Sequence, residues 1–193
     1  DGLGAHHREH GALPEVGLGT RTDRNTGLKL ARMGFVVICP KNLLWEESKY
    51  PLAVEAARKR NPSSLGMMTM LNDAMRAIDV LLTNPEVDPE RIGAIGHSLG
   101  GKEVLYLMAF DDRVTAGISS EGGLGLDSTN WEAAWYLGPA IKDSNFPRNH
   151  HELVTMIAPR PFLVLGGETG RGCSDGDRSW PYLLPGQEVS RLY

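Results

Sequence analysis

Residues Ile95–Leu107 read IGHSLGGKEVLYL, and Gly96, His97, Ser98, Leu99 and Gly100 within them spell G-x-S-x-G. Just before, Arg91 to Gly96 (RIGAIG) is an apolar run of strand length. Just after, Gly101 to Phe110 is a predicted helix with Val104, Leu105 and Met108 on one side. A serine on a strand-to-helix bend sits in strained backbone geometry, and side chains in place of the flanking glycines would collide there. The bend lifts the Ser98 hydroxyl toward a reacting carbonyl. The Leu99 amide then lies at a helix N-terminus, placed to hold a developing oxyanion. Two other readings compete. Gly96 to Glu103 nearly spells a phosphate loop, G-x-x-x-x-G-K followed by Ser or Thr, but Glu103 puts a carboxylate where a magnesium-binding hydroxyl is required. The simplest alternative is a tight glycine-rich turn with an incidental serine.

Working outward, Phe35 to Cys39 (FVVIC), Val114 to Ser119 (VTAGIS) and Pro161 to Leu165 (PFLVL) are further short apolar runs, which brings the predicted strands to four. Thr26 to Met33 reads as a short helix stopped at Gly34, and Pro51 to Arg60 as a helix with proline in its first turn. Between Ser64 and Thr83, Leu65, Met68, Leu71, Met75, Ile78 and Leu82 recur at intervals of three and four, which predicts an amphipathic helix. The cluster Met67, Met68, Met70 and Met75 is read as core packing. Strands alternating with helices predict an α/β domain over residues 1–193, with a parallel sheet covered on both faces. The interval 121–147 is expected to be a lid or insertion above the sheet.

Composition limits the function classes. The 193 residues are 41% hydrophobic and 23% charged, an ordinary globular balance, and the net charge of -4 offers no general attraction to nucleic acid or anionic lipid. No apolar run approaches a membrane span, so no membrane partner is expected. Cys39 and Cys173 are too few for a disulfide scaffold or a cysteine zinc site, and neither is marked as a nucleophile. The HHREH stretch (His6, His7, His10) has imidazoles four apart but lacks the H-E-x-x-H pattern and a third ligand. No metal and no organic cofactor is expected. Compartment and oligomeric state stay open.

From the FVVICP run through the bend to IAPRPFLVLGGE (Ile157–Glu168), the chain resembles the α/β-hydrolase superfamily. The last segment resembles the IAPRP strand of acetyl xylan esterase-like and dienelactone hydrolase-like members. The resemblance implies a parallel-sheet α/β-hydrolase fold with Ser98 as nucleophile and Leu99 as one oxyanion donor. The fold it resembles has strands before the first and after the last predicted here, so truncation at both ends is expected. Gly2 to Gly4 would then supply the second oxyanion donor.

A serine nucleophile needs a base, and the base an orienting carboxylate. Two positions fit. One follows the PFLVLGG strand, where the superfamily commonly carries its acid; Asp175 is preferred over Asp177 as nearer the strand end, against a reading of both as an Asp-Gly turn. The other is Glu121, at the end of the preceding strand, against a structural role capping the glycine-rich turn. Glucuronoyl esterases look similar at Glu121 and at Lys102, four residues after the serine, which implies a substrate-binding Lys102. They carry Arg after the nucleophile, where this chain has Leu99. The histidine is expected beyond Tyr193. His150 and His151 precede the last strand and read as helix-capping or pocket-lining, with His151 a substrate-binding candidate, while His97 packs beside the serine. Trp131, Trp135 and Tyr136 read either as aromatics of a lid helix or, for Trp131, as a platform under a sugar ring, and Trp45 and Trp180 invite the same pair of readings.

The expectation is therefore a serine carboxylic-ester hydrolase working through an acyl-enzyme, on an acetylated or glucuronoylated polysaccharide by family likeness. A non-catalytic binding domain and a lactone or peptide hydrolase with the same serine are the alternatives.

Overall fold

In the computed structural model, described over residues 25–42, 55–56, 58–59, 62, 65–146, 148–167 and 175–193, the three strands β1 (Ile92–His97), β2 (Val114–Ser120) and β3 (Phe162–Leu165) form a parallel sheet in the order β1-β2-β3. Chain order puts helices α1 (Thr26–Arg32) and α2 (Gly66–Leu81) before β1. Helix α3 (Leu99–Phe110) connects β1 to β2, α4 (His150–Ile157) precedes β3, and α5 (Trp180–Ser190) follows it. Parallel neighbours need such crossovers, because each connection must carry the chain back across the sheet.

The register places His97 opposite Ser120 and Ser120 opposite Leu165. Hydrogen bonding continues one residue past the strand ends: Ser98 N–H donates to Ser120 O at 2.7 Å, and Glu121 N–H donates to Leu165 O at 2.9 Å. Residues leaving the three carboxyl ends are thus fixed side by side. Helix α3 lies directly on the sheet, with Val104, Leu105 and Met108 buried. Gly117 makes this approach possible, since a Cβ there would come within 2.1 Å of Met108 Sδ.

Arg160, the arginine of IAPRP, explains how that motif serves the fold. Its guanidinium donates to Met108 O, Asp111 O and Val114 O, at 2.5, 3.2 and 2.9 Å. A cation thereby satisfies carbonyls at and just past the α3 C-terminus and at the entry to β2.

Three sequence expectations change. Residues 35–39 join no ladder among the described residues, and Phe35 and Val36 are exposed. An apolar run specifies burial, but a strand also needs a neighbour to accept and donate its backbone bonds. In α2 the buried face is Met67, Met70, Ala74, Ala77 and Ile78, while Met68 is 56% exposed. Of the predicted stripe, Ile78 is buried and Leu71, Met75 and Leu82 pack against the core, while the first turn faces it with Met67, whose N–H donates to Tyr136 O at 3.1 Å, and Gly66 packs on the Trp135 backbone. Residues 131–137 form turns rather than a helix, and Leu124, Trp131 and Tyr136 join the main core. Of the predicted helix 51–60, Glu55, Ala56, Arg58 and Lys59 are helical and its other residues lie outside the described ones. Gly2–Gly4, His6, His7, His10, Trp45 and Cys173 also lie outside them. No helix among the described residues is long and apolar enough to cross a membrane.

Replacing Arg160 by Met is expected to lower stability by about 2–3 kcal/mol, because several buried carbonyls lose a charged donor. Lys should recover only part of that, lacking the planar fork. Urea unfolding of both variants measures the loss; an Arg160→Met midpoint equal to wild type would contradict this role.

Candidate active site

At the junction of β1 and α3, Ser98 has φ 54° and ψ -112°. This is left-handed backbone that a residue with a Cβ adopts only where its surroundings enforce it. They do so from both sides. Ser98 N–H is held by Ser120 O, and Ser98 O accepts from Lys102 N–H at 3.2 Å in the first turn of α3. Gly96 lies so close to Gly100 that a Cβ on it would stand 2.2 Å from the Gly100 carbonyl carbon and oxygen. The side chain of Ser98 is half-buried, at the carboxyl edge of the sheet. Leu99 opens α3, where first-turn amides have no helical acceptor. His97 approaches Ser120 across the sheet, Nδ1 to Oγ 3.2 Å.

Glu121 leaves β2 beside Ser98, itself at φ 53°. Ser98 and Glu121 are the non-glycine residues with positive φ among the described residues, and adjacent strand ends carry them. The Glu121 carboxylate accepts from Gly167 N–H, just past β3. It is half-buried.

Asp175 sits differently. It is 2% exposed, and its two oxygens accept from Gly123 N–H at 3.0 Å, from Leu124 N–H at 3.1 Å and from the Ser179 hydroxyl. Its charge is spent on the turn after β2, which a carboxylate with fewer donors would be free to leave. Asp177 is exposed in the short 3₁₀ turn Gly176–Arg178.

Lys102, 3% exposed, extends from α3 under the same turn. Its ammonium donates to Gly122 O at 2.5 Å and to Thr129 Oγ1 at 3.1 Å, and lies 4.1 Å from the centre of the Trp131 ring. Burial pulls its pKa down to about 7, against the opposing charges of Asp175 and Glu132. Trp131 is fully buried, its indole N–H donating to Gly123 O at 2.7 Å. Lys102 and Trp131, expected to touch substrate, are therefore placed inside the protein as the floor of the turn.

His150 completes that floor. Leu124 O accepts from its Nδ1 at 2.7 Å, so the ring carries its proton there, and Nε2 accepts from the Tyr106 hydroxyl at 3.0 Å. Burial lowers its pKa to about 4, with the Leu124 carbonyl opposing and the Lys102 charge adding to the shift. Both nitrogens are occupied, which removes His150 as a base for Ser98. His151 is half-buried one residue along α4, and Trp180 is exposed at the start of α5. Glu103, the residue that argued against a phosphate loop, is buried, accepts from Asn42 at 2.5 Å and is pushed by burial up to about 8.

A parallel sheet with a strained serine at a strand-helix junction and a carboxylate at the next strand end is the arrangement of the α/β-hydrolases. The chain belongs to the Dienelactone hydrolase family, whose sequence profile matches residues 14–160. It is similar to 4-O-methyl-glucuronoyl methylesterase 1 of Wolfiporia cocos, 33% identical over 46% of this chain and 28% of that protein. It is also similar to a probable 1-alkyl-2-acetylglycerophosphocholine esterase of Arthroderma benhamiae, 43% identical over 62% of this chain and 23% of that protein. Among solved structures, a glucuronoyl esterase from Solibacter usitatus superposes with a TM-score of 0.55 at 26% identity, covering 66% of this chain and 36% of that one. The chain spans about a third or less of the length of these proteins.

The pKa of His150 sets a pH test. Its folded value, about 4, lies below its ordinary 6.5, so its contribution to stability is full above pH 6.5 and is lost as pH falls through 4. The melting temperature is expected to drop on acidification from pH 6.5 to 4 by more in wild type than in His150→Gln. Equal drops would mean that the ring is not held neutral.

Proposed function

We propose that this chain carries the nucleophile and orienting acid of a serine carboxylic-ester hydrolase acting on an ester of a carbohydrate. The observation that carries the reading is the left-handed backbone of Ser98 at the β1–α3 junction. The fold holds Ser98 in that conformation at a local cost, and a nucleophile that must stand clear of the chain requires it.

In this reading Ser98 Oγ attacks the ester carbonyl carbon while a histidine outside the described residues takes the hydroxyl proton. The carbonyl oxygen becomes an oxyanion facing the Leu99 N–H at the start of α3. As the tetrahedral species collapses, the bond to the alcohol oxygen breaks and the histidine returns its proton to the departing alcohol. Water, deprotonated by the same histidine, then releases the acid from Ser98. Glu121 orients that histidine. Its half-exposed carboxylate beside Ser98 supports this role over Asp175, which is buried on backbone amides. The substrate class follows the names of the relatives, two of which are glucuronoyl esterases. An acetyl or glucuronoyl ester of a polysaccharide is the specific proposal.

A fluorophosphonate probe is expected to label the full-length protein at Ser98, and Ser98→Ala to abolish labelling. Ser98→Ala should lower kcat on a glucuronate methyl ester by about 10⁴-fold or more, and Glu121→Gln by about 10³–10⁴-fold, with the fold intact by circular dichroism. Wild-type protein that resists the probe would leave the fold as a non-catalytic binding domain.

A further inference from the structure

The Lys102 ammonium and the Asp175 carboxylate grip opposite ends of one peptide group. Lys102 Nζ donates to the carbonyl oxygen of Gly122, and the amide N–H that donates to Asp175 Oδ2 belongs to Gly123. These atoms are the two poles of the single Gly122–Gly123 peptide unit. A cation on the oxygen and an anion on the N–H both favour the charge-separated resonance form, so each bond strengthens the other. Both side chains are almost fully buried, where such interactions are screened least.

The gripped peptide begins immediately after Glu121. Gly122 is pressed against α3, since a Cβ on it would lie 2.8 Å from Ser119 Oγ and 2.9 Å from the Gly101 carbonyl carbon. Trp131 and His150 hold the next two carbonyls, Gly123 O and Leu124 O. The backbone that aims Glu121, at its left-handed φ, is thus fixed from the residue onward by buried side chains of α3, α4 and the segment after β3. The fixing charges come from α3 and from that last segment.

We propose that Lys102 and Asp175 are a coupled pair of positioning residues that orient the Glu121 carboxylate through the Gly122–Gly123 peptide. This rests on the reading above, in which Glu121 orients the base. Neither residue is exposed enough to meet a substrate. The glycine dipeptide after Glu121 fits the same turn: a Cβ on Gly122 would press on Ser119 Oγ and the Gly101 carbonyl carbon, and Gly123 has φ 76°.

The test uses full-length Lys102→Met, Asp175→Asn and the double variant. Each single change is expected to lower kcat on a glucuronate methyl ester by about 10- to 100-fold with KM nearly unchanged, because aim is lost and binding is not. The double variant should be no slower than the slower single one, as expected for groups acting as a unit. A risen KM with unchanged kcat would overturn the proposal in favour of substrate contact, and losses that multiply in the double variant would overturn the coupling. A second readout does not need activity. The Gly123 amide resonance, read at one fixed pH, should differ between wild type and Lys102→Met; an unchanged resonance overturns the bridge. Asp175→Asn, nearly isosteric, keeps the test open if Lys102→Met fails to fold. Probe labelling of wild-type Ser98 separates the two claims. Without it the hydrolase reading fails while the Gly123 signature still reports on the bridge. With labelling intact and kcat unchanged in every variant, the positioning role alone falls.

Discussion

The bend at Ser98 is the constraint on which the rest of the structure depends. A non-glycine residue in left-handed backbone costs on the order of 1–3 kcal/mol, and here the cost is offset by hydrogen bonds on both sides of the residue. The parallel ladder takes its N–H and the first turn of α3 takes its carbonyl. Neither bond could form if Gly96 carried a side chain, because Gly100 occupies that space. The register that holds Ser98 also decides what stands beside it. With His97 opposite Ser120, the residue after β2 can only emerge next to the residue after β1.

The second organising element is the turn at Gly122–Leu124. Backbone polar groups in a protein interior must find partners. Here they find side chains instead of a ladder: Lys102, Trp131 and His150 on the carbonyls, and Asp175 on the amides. Once fully satisfied, such a network is rigid, and its removal would strand several groups at once. The two acids differ in exposure. Asp175 is withdrawn into the network, while Glu121 stays at its margin beside the serine.

Much of this is legible in the amino-acid sequence. G-x-S-x-G between an apolar run and a helix pattern located the bend because glycine and a short strand leave few alternatives there. The β1, β2 and β3 segments are apolar runs of strand length; the structure carries β1 and β2 one residue further at the carboxyl end and starts β1 and β3 one residue later. The exposure of Met68 was not legible, since Ala74 and Ala77 look less apolar than Met68, and the bond from Met67 N–H to Tyr136 O is a contact that no local pattern encodes. The separate fate of residues 35–39 was hidden for a related reason: hydrophobicity does not say which backbone will pair with it.

Local chemistry by itself determined where the strained Ser98 bend and the three paired strands lie along the chain, because each depends on neighbours within a few residues. Tertiary structure alone decided the roles of Lys102, Trp131, His150 and Asp175. They read in sequence as a substrate-binding lysine, a lid aromatic or sugar platform, a capping or pocket-lining imidazole and a candidate acid, and they come from segments up to 73 residues apart, Lys102 to Asp175. Only when the chain closes around Gly122–Leu124 do their charges and donors meet one buried turn, and burial then gives each of them a partner that no spacing encodes.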